Sequence, residues 1–226
     1  MKNDTIAIDG PAGAGKSTVA RLLARRLGFL YVDTGAMYRA AALVVERNAV
    51  AFTAEDEITA LIRSARIEFV NGEGDTQYLY LNGEDVTEAI RTPGVASLAS
   101  QVSAIPGVRR ALVALQQQLA VSGGVVMEGR DIGTVVAPDA EIKIFLTATP
   151  EERANRRHAE LAARGNDVSL ESVRADQDER DERDATRQVA PLVAASDAII
   201  LYSDGQTPEE IVEDIVAMTE ARRREA

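Results

Sequence analysis

Apolar residues along the chain switch between two spacings, and the switches mark its elements. Ile6, Ala7 and Ile8 form a short continuous apolar run, read as a buried strand, and Val19, Leu22, Leu23 and Leu27 follow at helical spacing. Gly28 is placed to stop that helix. Phe29 to Val32 reads as a second strand ending at Asp33-Thr34-Gly35, with a helix expected from about Ala36 to Arg47. Thr53-Ala54-Glu55-Asp56 resembles a capping box opening a short helix through Ser64. Arg66 to Val70 and Gln77 to Leu81 then carry β-type residues around Asn71-Gly72-Glu73-Gly74, and Asn82-Gly83 turns the chain into a short segment at Asp85 to Thr87. This predicts a small antiparallel meander inserted in an α/β chain.

Beyond it, Ile90 to Ser103 reads as helical with a break at Pro93-Gly94. Pro106 suits a first helical turn, and that helix should run to Val121 and stop at Gly123-Gly124. Val125-Val126-Met127 is a continuous apolar run, expected of a buried parallel strand, with Glu128-Gly129-Arg130-Asp131 at its polar end. Glu141 to Thr147 is another strand, and Thr149-Pro150-Glu151-Glu152 opens a helix to about Arg164, broken by Gly165-Asn166. Ser169 to Arg183 reads as a highly charged helix, Ala198 to Tyr202 as the last strand, and Thr207-Pro208-Glu209-Glu210 as a full capping box opening the terminal helix. Strands alternating with helices predict an α/β fold, a parallel sheet covered on both faces. Right-handed crossovers put the carboxyl ends of the strands on one edge, where Asp33 to Gly35, Glu128 to Asp131 and Ser203-Asp204-Gly205 should gather.

Composition narrows the chemistry. The chain has 226 residues, 46% of them hydrophobic, with no apolar run long enough for a membrane span. The N-terminus goes straight into a strand, which leaves no room for a signal peptide. There is no cysteine, so disulfides, thiolate metal sites and cysteine nucleophiles are excluded. The single histidine, His158, lies in an Arg-rich helical stretch and reads as a solvated surface residue. A net charge of −11 argues against general affinity for a nucleic acid backbone.

The loop after the first strand carries the clearest chemistry. Gly10 to Ser17 fits G-x-x-x-x-G-K-[ST], with Pro11, Ala12, Gly13 and Ala14 filling the loop before Gly15, Lys16, Ser17 and Thr18. Small residues let backbone N–H groups converge on a phosphate, and the following helix N-terminus adds partial positive charge. Lys16 is expected to reach the β- and γ-phosphates of ATP, and Ser17 to ligand Mg2+. Nothing matches the Asn-Lys-x-Asp of guanine binders. Arginines stand at the expected ligand edge: Arg39 after the second strand, Arg130 beside Asp131, and Arg180, Arg183 and Arg187 around Asp184. Singly each reads as a surface residue. Together, at strand ends around a phosphate loop, they read as guanidinium forks for phosphate oxygens.

With these residues in place the sequence resembles the bacterial cytidylate kinases, from the phosphate loop to the last strand. The resemblance rests on Gly10-Pro-Ala-Gly-Ala-Gly-Lys-Ser-Thr18, Asp33-Thr-Gly-Ala-Met-Tyr-Arg39, Ser100-Gln-Val and Val108-Arg109. It continues with Glu128-Gly-Arg-Asp-Ile-Gly-Thr134 and Arg180-Asp-Glu-Arg-Asp-Ala-Thr-Arg187 leading into Val189-Ala-Pro-Leu192. The resemblance implies a nucleoside monophosphate kinase fold: a five-stranded parallel sheet flanked by helices, a small antiparallel insert and a short lid. It implies one domain, with a core of 1–35, 105–150 and 190–226, a monophosphate-binding region of about 36–104, and a lid of about 151–189.

The implied activity is transfer of the γ-phosphoryl of ATP to CMP or dCMP, with Mg2+, in a cytoplasmic enzyme expected to be monomeric. Position by position, Arg39 and Arg130 would hold the acceptor phosphate. Thr34, Arg109, Asp131 and Arg187 would surround the cytosine, while Ser100, Arg180 and Asp184 face the sugar. Arg153 would lie against adenine and Arg157 near the transferring phosphate, so the implied catalytic set is Lys16, Arg130, Arg157 and Arg180. Thr34 stands where a serine is common and keeps the hydroxyl, and Glu128 stands where an aspartate is expected. The residues alone leave open a kinase for another small acceptor, or a non-catalytic ATP-binding switch module.

Overall fold

A computed structural model of the chain describes residues 4–72, 77–163, 165–187 and 189–225. Its main sheet has five parallel strands: β1 (Thr5–Asp9), β2 (Leu30–Asp33), β6 (Val125–Gly129), β7 (Ile142–Thr147) and β8 (Ile199–Tyr202), in the order β2-β6-β1-β7-β8. β1 lies at the centre, with Asp9 opposite Gly129 on one side and Phe145 on the other. Every residue of β1 and β6 is buried, as expected of strands covered on both faces. Helices α1 (Lys16–Leu27) and α8 (Pro208–Glu225) pack against each other. Ile6, Ile8, Leu23, Ile144, Leu146, Ile211 and Ile215 belong to the core cluster beneath them.

The chain divides into two compact units, Met1–Tyr31 with Ser122–Ala226, and Val32–Val121. The second holds α2 (Thr34–Asn48), α3 (Glu55–Ser64), α4 (Pro93–Val102) and α5 (Pro106–Val121). It also holds the expected meander, β3 (Ile67–Asn71), β4 (Gln77–Leu81) and β5 (Glu84–Asp85), paired in that order. α2 packs on α4 and α3 on α5. The α3–α5 approach is so close that a Cβ on Gly107 would lie 2.1 Å from Thr59 Oγ1.

Most expected boundaries hold within a residue or two, and the exceptions have local causes. α2 begins at Thr34, two residues early, because the Asp33 carboxylate accepts from Ala36 N at 2.9 Å and caps the helix. The Thr53 capping box is not made: Ala54 occupies the cap position of α3, without a side-chain acceptor. The break expected at Pro93-Gly94 falls one residue earlier, at Thr92, which separates a 3-10 turn (Ala89–Arg91) from α4; Thr92 caps Val95 N, and proline stands in the first turn. The box at Thr207 and Glu210 forms reciprocally, Thr207 N donating to Glu210 Oε2 at 2.8 Å and Glu210 N to Thr207 Oγ1 at 3.2 Å. The turn expected at Asn71 to Gly74 and the helix end at Arg164 fall partly outside the described residues. No helix among the described residues is long and apolar enough to cross a membrane.

Candidate active site

The phosphate loop leaves β1 at Gly10 and enters α1 at Lys16. Gly10 passes against β7 with no space for a side chain: a Cβ there would lie 1.9 Å from Leu146 O. Gly13, at φ +78, would likewise meet Arg153 O at 2.9 Å and the Gln177 side chain at 2.8 Å. The loop is therefore pressed from behind by α6 (Pro150–Ala163) and α7 (Leu170–Thr186). Arg153 of α6 donates to Ala12 O at 3.0 Å and pairs with Asp181 of α7, and Gln177 donates to Arg153 O at 3.3 Å. A second support comes from the end of β8. Ser203 Oγ lies 3.1 Å from Ala14 O and accepts from Arg156 at 2.8 Å.

Lys16 is buried and its ammonium donates to Pro11 O at 2.6 Å. Burial, then the neighbouring cations Arg130 and Arg180, pushes its pKa well below the ordinary lysine value, against the opposing pull of Glu128 and Asp9. Glu128, at the end of β6, accepts from the Tyr31 hydroxyl. Ser17 is exposed at the start of α1.

Past β6 the backbone makes a single wide turn, with Val136 N donating to Asp131 O at 3.2 Å and Ala137 N to Ile132 O at 2.7 Å. Arg130 and Asp131 open that turn. Arg130 Nε meets Asp184 Oδ2 at 2.9 Å, and Arg187 lies 3.7 Å from both Asp184 Oδ1 and Asp131 Oδ1. Four candidate residues thus form one alternating sequence of charges, Arg130, Asp184, Arg187 and Asp131. Arg180, on α7, is among the cations that lower the pKa of Lys16.

The remaining candidates are less concentrated. Arg153 is occupied by Ala12 and Asp181, and Arg157 pairs with Glu160 on the exposed face of α6. His158 Nε2 lies 3.0 Å from Val168 O. In the second unit, Thr34 is buried in the first turn of α2, and Arg39 pairs with Asp33 at 2.8 Å. Ser100 lies on α4, and Arg109 of α5 is buried with its guanidinium 5.7 Å from the Tyr38 ring centre. Sequence reasoning missed Asp9, Arg156, Gln177 and Asp181, whose partners lie far along the chain.

A family model described as cytidylate kinase matches residues 6–221. The chain belongs to the cytidylate kinase family. A cytidylate kinase from Pelotomaculum thermopropionicum is 54% identical over 97% of both chains. One from Desulfitobacterium hafniense is 52% identical, over 96% of this chain and 93% of that one. A solved structure of an uncharacterized protein from Eubacterium ventriosum ATCC 27560 shares the fold at 12% identity. Its TM-score is 0.53, over 97% of this chain and 99% of that one. The phosphate loop, the Arg130–Asp131 turn and the α7 charges all lie inside the span matched by the cytidylate kinase model.

Proposed function

We propose that this chain transfers the γ-phosphoryl group of ATP to CMP or dCMP, giving ADP and CDP or dCDP. The observation that carries this reading is the alternating set Arg130, Asp184, Arg187 and Asp131 in the same unit as a Lys16-bearing phosphate loop. Phosphate groups need cations and N–H donors, and a base edge needs a carboxylate next to guanidinium donors; this unit has both.

In this reading, backbone N–H groups from Gly10 to Thr18 cradle the ATP phosphates. Lys16 leaves Pro11 O for the β- and γ-oxygens and stabilises charge developing between donor and acceptor. Ser17, an exposed residue, offers one hydroxyl, and no cluster of three or more His, Cys, Asp or Glu side chains among the described residues could hold a metal by itself. Such a donor set suits Mg2+ arriving with the nucleotide, which keeps waters and binds chiefly through phosphate oxygens. Held on the protein side by Ser17, Mg2+ would neutralise charge that develops during transfer.

Arg130 and, on the family pattern, Arg39 hold the acceptor phosphate; Arg180, Asp184 and Ser100 face the sugar. The acceptor oxygen is already ionised near neutral pH, so no general base is required. A bond forms between that oxygen and the γ-phosphorus as the bond to the β–γ bridging oxygen breaks, and ADP leaves. Arg153 serves the donor site by holding Ala12, while Arg157 on the lid helix is assigned to the transferring phosphate by family pattern alone. The lid, about 151–189, excludes water that would otherwise consume ATP.

Cytosine is selected by Asp131, which accepts from the N4 amino group, beside Arg187 as a donor; on the family pattern alone, Arg109 also donates to the O2 and N3 edge and Thr34 serves the base. Uracil presents O4 at that position, setting acceptor against acceptor. Asp131→Ala should therefore lower kcat/KM for CMP by roughly 1–3 kcal/mol of recognition and leave UMP little changed. An unchanged ratio of CMP to UMP specificity constants, in a variant that melts like wild type, would remove Asp131 from base recognition.

A further inference from the structure

Asp9 ends β1, one residue before the phosphate loop begins, and is 4% exposed. Both oxygens are used by the far side of the site: Oδ1 accepts from Ile132 N and Oδ2 from Gly133 N, each at 2.8 Å. These two N–H groups belong to the wide turn that Arg130 and Asp131 open. The turn is seated closely, since a Cβ on Gly133 would lie 3.2 Å from the Lys143 side chain and 3.4 Å from Asp9 Oδ2. Lys143 is itself fixed by Asp197, which accepts from its ammonium at 2.8 and 2.9 Å. Two adjacent backbone donors facing one side chain call for two acceptor oxygens. A carboxylate has them, whereas Asn would turn an NH2 group against one N–H.

We infer that Asp9 is a positioning residue for acceptor recognition: its carboxylate holds the turn that aims Arg130 and Asp131 at the nucleoside monophosphate. The inference rests on the acceptor reading above and adds to it the residue that sets selectivity from beneath. Burial and the nearby Asp131 disfavour the charge of the Asp9 carboxylate, and the two N–H donors oppose them. Its backbone continues directly into Gly10, so one residue joins the donor loop to the acceptor turn.

The test is steady-state kinetics of Asp9→Asn, Asp131→Ala and the double variant with CMP, UMP and ATP, alongside melting temperatures. Asp9→Asn should raise KM for CMP about tenfold and lower the CMP to UMP ratio of kcat/KM, with KM for ATP within about twofold. The double variant should lose no more selectivity than Asp131→Ala alone, because both changes act through the same turn. If Asp9→Asn is too unstable to assay, Gly133→Ala presses on the same contact and should shift the same two parameters. Equal losses for CMP, UMP and ATP, or additive losses of selectivity in the double variant, would overturn the inference. So would an unchanged CMP KM in Asp9→Asn while Asp131→Ala alone collapses the ratio. An unchanged ratio in Asp131→Ala would instead overturn the acceptor reading.

Discussion

Replacing Arg153 with Met would separate two roles for this arginine, since the family resemblance sets it against adenine and the structure occupies it elsewhere. Its side chain is 8% exposed and that of its partner Asp181 is 22% exposed. Removing one partner of a buried ion pair leaves the other charge uncompensated, at a cost of about 3–5 kcal/mol. Asp181 retains some access to water, which places the cost at the low end. The lost hydrogen bond to Ala12 O adds about 1 kcal/mol. Methionine keeps most of the apolar stem in place, so the packing contribution nearly cancels. The expected loss is about 3–4 kcal/mol, or a fall in Tm of about 10 °C for a chain of this size. Because Ala12 is released, KM for ATP should rise while KM for CMP stays near wild type. Adding Asp181→Leu removes the stranded carboxylate, so the double variant should be more stable than Arg153→Met alone. Chemical denaturation of wild type, the single variant and the double variant reads the stabilities, and steady-state kinetics reads the two KM values. A variant of unchanged stability with weakened ATP binding would refute the clamp and put Arg153 against the nucleotide. So would a double variant less stable than the single one.

Three further outcomes are expected. Lys16→Met should fold normally and lose several orders of magnitude in kcat, as expected of a group that stabilises charge during transfer; retention of more than about a tenth of wild-type turnover, where tenfold is about 1.4 kcal/mol of barrier, would contradict it. Arg130→Lys, or Arg39→Lys, should raise KM for CMP with little change for ATP, because an ammonium cannot reproduce the guanidinium fork; equal losses for both nucleotides would assign the arginine elsewhere. Burial raises the pKa of Asp9 from 3.8 to about 6, with nearby Asp131 adding to the shift and the Ile132 and Gly133 N–H groups and Lys16 opposing it. The folded state then holds a proton that the unfolded state releases, so this contribution to stability is complete below the unfolded pKa and lost as pH rises through about 6. Relative to Asp9→Asn, the wild type should lose up to about 3 kcal/mol between pH 4 and pH 7, and a difference independent of pH would contradict the assignment.

What was legible in the sequence was whatever depends on neighbours along the chain. The phosphate loop is read from glycine and lysine spacing, the terminal helix from Thr207 and Glu210, and the meander from Asn82-Gly83, where the backbone takes φ +53 and +86. Local signals also erred where two residues competed for one role. Asp33 caps α2 and draws Thr34 and Gly35 into the helix, and Thr92 makes Pro93 a starting residue. The supports of the site were not legible, because they join positions far apart. Asp9 meets Ile132 across 123 residues, Ser203 reaches Ala14 across 189, and Arg153 meets Asp181 on a different helix. No periodicity or spacing encodes such pairs, and a buried aspartate after a strand looks like any loop carboxylate. The arginines proposed for the acceptor were legible only as a group, since each one alone is indistinguishable from a solvated surface charge.

Transfer of a phosphoryl group to cytidine monophosphate is measured most directly by following the phosphorus atom itself. Purified protein is incubated with Mg2+, γ-labelled ATP and CMP, and the products are separated by nucleotide chromatography. Label is expected in the β-phosphate of CDP, equal in amount to the ADP formed, with far less transfer to UMP or AMP and little ATP consumed when CMP is omitted. Label released as inorganic phosphate at the same rate with or without CMP, or ATP bound and left intact in its presence, would contradict it.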